Sequence, residues 1–207
     1  MNRPRPFAVT LLAASALLAM TAVGCGKDEL SSAPPATRPP ATGASPSASG
    51  TPSASPTAVV EFSVDGAGPY LLGASLTELQ TADLLAEVVK GTGACPQNTT
   101  ARGTGTWTDL HLSFRADGKL YIAINRSASI PTPSGAWLGT TLTDLKRIYA
   151  AVPGQELRRG TNSAFLVTTL SGRGILFDLD PAKKVTTMTA GESGFLRSSY
   201  TGGTDFC

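Results

Sequence analysis

The chain has 207 residues, with 17 Lys and Arg against 15 Asp and Glu and a formal net charge of +2. Four of the basic residues (Arg3, Arg5, Lys27, Arg38) and two of the acidic ones (Asp28, Glu29) precede position 58, so residues 58–207 carry thirteen charges of each sign. A neutral body of this size lacks the basic footprint of a nucleic-acid binder, yet it is long enough to bury about 70% of its unfolded surface around one core.

Residues 1–24 place Arg3 and Arg5 ahead of an apolar run from Phe7 to Met20, then small residues up to Gly24. This is the three-part layout of a secretory signal, and the apolar run is shorter than the roughly 20 residues a membrane span needs. The ending Ala22-Val23-Gly24-Cys25 resembles the bacterial lipobox, with Ala22 where Leu is commoner. The resemblance implies that residues 1–24 are removed and that the Cys25 sulfur carries a diacylglycerol, anchoring the chain at the extracytoplasmic face of the cell membrane. Two acyl chains make such an anchor stable where a single chain binds marginally. An ordinary signal peptide with a coincidental cysteine is the alternative. The Ala/Gly/Thr-rich composition is similar to that of lipoproteins from high-GC Gram-positive bacteria.

Residues 25–57 follow as a tether. From Ser31 to Thr57 every position is Ser, Ala, Pro, Thr or Gly except Arg38, a composition that cannot build a core. Its reach lies between roughly 30 Å as a coil and roughly 80 Å as polyproline helix. A glycosylated Ser/Thr stalk would have the same composition and the same mechanical role.

Residues 58–207 read as one extracytoplasmic domain. Within it Leu72 to Leu79 (LGASLTEL) and Leu138 to Leu145 (LGTTLTDL) nearly repeat each other 66 residues apart. Ser75 with Glu78, and Thr141 with Asp144, have the spacing of a capping box; Glu is the better partner, so the first copy is expected to cap more strongly. Leu76 and Leu79, then Leu142, Leu145, Ile148 and Tyr149, continue at helical spacing. Pro153-Gly154 ends the second helix; the first ends either near Asp83 or at Lys90.

After each helix the period becomes two. Leu110, Leu112 and Phe114 alternate with polar residues, and Asp117-Gly118 turns the chain into Leu120, Ile122 and Ile124. In the second copy Phe165 to Leu170 leads through Gly172 to Ile175, Phe177 and Leu179, and then past Pro181 to Val185–Ala190. The expected fold is α+β: two helix-plus-hairpin repeats, about 66–126 and 132–190, sharing a mostly antiparallel sheet with short helices on one face. Pairing Gly118 with Gly172 leaves a surplus in the first copy around Lys90–Gly105. This order weakly resembles the tandem repeats of secreted β-lactamase-inhibitor proteins and of small outer-membrane assembly lipoproteins, a likeness of fold that licenses no function.

Cys95 and Cys207 are the thiols left once Cys25 is lipidated, and in an oxidising compartment a disulfide between them is the expectation. A nucleophilic Cys95 is the rival, and it would need a base. The sole histidine, His111, falls on the polar side of a strand. Ser-, Cys- and metal-based hydrolase motifs and phosphate loops are missing from the sequence, so the expectation is a non-enzyme with no catalytic residues, cofactor or metal. Asp178 and Asp180, two apart on one strand, keep a carboxylate hydrolase open. Trp107 and Tyr121, near the Gly-rich insertion, are candidates for a partner-facing surface. The sequence thus predicts a membrane-anchored binding module for an envelope protein or wall polymer, with an inhibitor of a secreted enzyme as the alternative.

Overall fold

The computed structural model describes residues 60–92, 95–204 and 206. The signal, Cys25, the tether and Cys207 lie outside them. A small antiparallel sheet opens the described region: β1 (Phe62–Ser63), β2 (Gly66–Ala67) and β3 (Tyr70–Leu71). Helix α1 (Leu76–Thr81) follows, then strands β4 (Leu85–Thr92), β5 (Cys95–Gly103), β6 (Leu110–Phe114) and β7 (Leu120–Asn125). Helix α2 (Leu142–Ile148) leads into β8 (Gly154–Arg159), β9 (Asn162–Thr168), β10 (Arg173–Leu179) and β11 (Val185–Glu192), and α3 (Ser193–Gly202) comes last. The large sheet has the order β4-β5-β6-β7-β11-β10-β9-β8 with every neighbouring pair antiparallel. The architecture is α+β, as expected, but each short helix is followed by a meander of four strands.

Two of those strands occupy the stretch read as a Gly-rich surplus. β4 and β5 pair across most of Leu85–Gly103, and the inward positions of β5 are Thr99, Ala101 and Gly103, too small to produce an apolar period. α1 ends early, and Asp83 turns out of it with φ 54.

The near-repeated stretches make equivalent contacts. Gly73 donates its N–H to the Leu120 carbonyl (2.7 Å), Leu120 donates to Ala74 (2.9 Å) and Leu76 donates to Gly118 (2.9 Å). Likewise Gly139 donates to Val185 (2.7 Å), Val185 to Thr140 (2.9 Å) and Leu142 to Lys183 (2.9 Å). The counterpart of the Asp117-Gly118 turn is therefore the turn at Lys183, which takes the left-handed conformation (φ 62) that Gly118 takes (φ 75). Gly172 belongs to a different hairpin, and the apparent surplus came from pairing it with Gly118.

The capping expectation is reversed. Thr141 Oγ1 accepts from the Asp144 N–H (3.2 Å) and donates to Asp144 Oδ2 (2.8 Å), whereas Ser75 makes no side-chain cap bond. Asp144 is held below its usual pKa chiefly by the hydrogen bond from Arg147 and then by that from Thr141.

One apolar cluster joins the inward residues of the sheet, among them Leu112, Phe114, Phe165 and Phe177, to Leu79 of α1, Leu145 of α2, and Phe62 and Tyr70 of the small sheet. A second gathers Ile122, Leu157, Ala164, Leu166 and Leu176 beneath Leu196 and Tyr200 of α3. The two expected helices share the face of the first cluster, and α3, which the sequence did not announce, covers the other. α3 packs over β8–β11, so β9 is buried on both sides through Ser163–Val167, while β6 alternates buried and half-buried positions. This is why the second meander reads as continuous apolar runs and the first as an alternation.

Candidate functional site

The site emerges where α3 crosses the sheet. Glu192 starts this helix by accepting from the N–H groups of Gly194 (3.0 Å) and Phe195 (2.8 Å), and Gly203 ends it in the left-handed conformation (φ 71). Leu196, Ser199 and Tyr200 are turned inward. Below them, Asp178 of β10 and Arg159 of β8 join Ser199, Tyr200 and Phe206 around a cavity of about 260 Å³.

The polar groups of this cavity are poorly satisfied. Asp178 is half-buried, and burial raises its carboxyl to about 6 against the opposing pull of Arg159 and Arg126. Tyr200 is only 6% exposed, and its buried hydroxyl has no hydrogen-bond partner; burial and then the Asp178 charge push its pKa upward. The Arg159 guanidinium lies over the Tyr200 ring, 5.5 Å from its centre. Among the described residues, the side chains of Asp178 and Arg159 make no hydrogen bond or ion pair, to each other or elsewhere. Buried polar groups are nearly always satisfied, so this cluster stands out in the fold.

The structure separates the two carboxylates that the sequence placed together. Asp180 lies just past β10 and accepts from the Lys184 N–H (2.8 Å), shaping the turn into β11. His111 is half-buried on β6; burial, then Arg126 and Arg102, lower its pKa, so the imidazole is held neutral.

Trp107 and Tyr121 belong to different clusters. Trp107 packs edge-on against Tyr70 (6.1 Å) and lies over Gly68, where a Cβ would come within 2.4 Å of the indole. Tyr121 sits with the α3 cluster, edge-on to Phe195 (5.7 Å) and beneath the Arg115 guanidinium. Its hydroxyl accepts from Asn98 Nδ2 (2.9 Å) and donates to the Phe206 carbonyl (2.8 Å). Trp137 is the exposed tryptophan, at 53%. It borders a groove of about 340 Å³ with Thr140, Asp144, Arg147 and Ile148. Cys95 opens β5 as a disulfide cysteine; Cys25 and Cys207 lie outside the described residues.

Sequence reasoning weighed Asp178 only beside Asp180 and missed its partners. Arg159, Ser199 and Tyr200 come from segments far apart in the chain, and α3 was not foreseen. The glycines at 202 and 203 were the available signal for its end.

No protein-family model matches the chain, and no curated protein matches it. Among solved structures, an extracellular protein containing a SCP domain from Bacillus anthracis str. Ames is similar over 61% of this chain and 46% of its own length, at 12% identity and a TM-score of 0.41. The chain therefore spans under half the length of that protein. The uncharacterized protein yfeY from Escherichia coli is similar over 63% of this chain and 99% of its own, at 19% identity and a TM-score of 0.44. Likeness at this level carries no argument about function.

Proposed function

We propose that this chain is a lipid-anchored extracytoplasmic binding module, held by acyl groups on Cys25 and carried on the tether of residues 25–57. The observation that carries location is Ala22-Val23-Gly24-Cys25 followed by a run of Ser, Pro, Ala and Thr. What favours binding over hydrolysis is the fate of the carboxylates. Asp180 is used by a turn, which leaves Asp178, among the described residues, without the second acid that carboxylate-pair hydrolysis requires. The folded body is read as two related units, 66–126 and 132–190, because their opening stretches make the same backbone bonds to the turns before β7 and β11. A Cys95–Cys207 disulfide belongs to this reading, supported by the seat of Phe206 against Tyr121 and Asn98, three residues along β5 from Cys95.

Metabolic labelling with an alkyne fatty acid tests the anchor. Label and membrane fractionation are expected for the native chain and lost in Cys25→Ala; a secreted, unlabelled native chain refutes the assignment. Capture of an envelope partner or wall fragment by the full-length protein supports binding. Turnover of peptidoglycan fragments that disappears in Asp178→Asn would replace it with hydrolysis.

A further inference from the structure

We propose that the cavity beneath α3 is a binding site for a small zwitterion of the α-amino acid class, with its ammonium on Asp178 and its carboxylate on Arg159. This assignment is independent of the lipid anchor.

Two polar side chains at this cavity lack hydrogen-bond partners among the described residues. A buried phenol hydroxyl without a partner is costly; that of Tyr200 is in this condition, and the half-buried Asp178 carboxylate lines the same cavity without a donor. The cavity, about 260 Å³, has room for a molecule of several heavy atoms.

The charges define the occupant. Asp178 and Arg159 face the same space from β10 and β8, yet no ion pair joins them. Two opposite charges lining one cavity without touching are complementary to a molecule that carries both charges a few bonds apart. An ammonium supplies donors to the half-buried carboxylate. A carboxylate can take both N–H groups of a guanidinium fork, and Arg159 already lies across Tyr200 with its edge unpaired. Ser199 and Tyr200 line the same space, and Phe206 supplies an apolar wall for a side chain. A lone cation would meet Arg159 unopposed, and a lone anion would meet Asp178.

Binding should depend on pH. Among the described residues, the groups facing Asp178 are Arg159 from β8, Arg126 just past β7 and Tyr200 from α3. Protonation of Asp178 on acidification removes the acceptor for the ammonium.

Calorimetric titration of the purified full-length protein at pH 7.5 tests the site, using alanine as the zwitterion, ethylamine as the ammonium alone and propionate as the carboxylate alone. Saturable binding of alanine is expected, with each single-charge probe weaker by about tenfold or more. Asp178→Asn and Arg159→Gln should each weaken alanine by a similar factor. Native binding should fall between pH 7.5 and pH 5. Circular dichroism checks that the variants remain folded, and Asp178→Asn, being isosteric, keeps the test valid if Arg159→Gln does not fold. Absence of alanine binding, equal binding of ethylamine and alanine, or undiminished binding in folded Asp178→Asn overturns the assignment. Each outcome can be told from loss of the anchor, which is read separately by fatty-acid labelling.

Discussion

Gly139 donates its backbone N–H to the carbonyl of Val185 across 2.7 Å, fastening the approach to α2 onto the first residue of β11. The Thr141–Asp144 cap sits just beyond that bond and is the only side-chain cap of the two related helix starts. Thr141→Ala should therefore cost about 1 kcal/mol, while Ser75→Ala stays within about 0.5 kcal/mol. Urea unfolding followed by circular dichroism compares the two.

Leu145 is fully buried beneath the sheet. Truncation to Ala removes apolar contacts and leaves a cavity, so a loss of about 2–5 kcal/mol is expected. Leu170, at the exposed turn between β9 and β10, is the control; Leu170→Ser should leave the unfolding midpoint nearly unchanged.

The half-buried Asp178 predicts a distinct pH dependence in the absence of ligand. Its folded pKa of about 6 lies above the ordinary 3.8, so between these values the folded state holds more protons than the unfolded one. Stability then declines as pH rises from about 4 to 6, and levels off above that, by at most about 3 kcal/mol. Asp178→Asn should flatten this segment and raise stability at pH 7. Thermal melts across the range decide the matter; a native profile that rises from pH 4 to 6 and is unchanged by the substitution contradicts it.

Tyr121→Phe removes a hydroxyl that links Asn98 to the Phe206 carbonyl. The expected global cost is about 0.5–1.5 kcal/mol. The sharper signature is local: faster amide hydrogen exchange at residues 199–206 with β9 and β10 unaffected.

How much of this was legible follows from where the large apolar residues lie. Strands β6, β7, β9, β10 and β11 were readable because Leu112, Phe114, Phe165, Phe177 and Met188 mark one core face. Both early helices were readable from hydroxyl-acid starts after Leu-Gly. Strands β4 and β5 were not, because the first is an exposed edge and the second turns Thr99, Ala101 and Gly103 inward. The third helix escaped notice because Ser, Gly and Thr fill most of it, and tertiary burial of Leu196 and Tyr200 overrides weak propensity. The cavity could not be read at all, since Arg159, Asp178 and Tyr200 become neighbours only once antiparallel pairing sets the register of β8, β9 and β10.

The two meanders meet along a narrow seam, where β7 and β11 pair at Asn125–Met188, Ile124–Thr189 and Ala123–Ala190. Past α3, which rides on the second meander, the chain crosses to the first and is clasped there by Tyr121. Phe206 acts as a buckle across this seam. Clipping the chain after Thr204 should let the halves part at lower mechanical load while each meander keeps its own ladder.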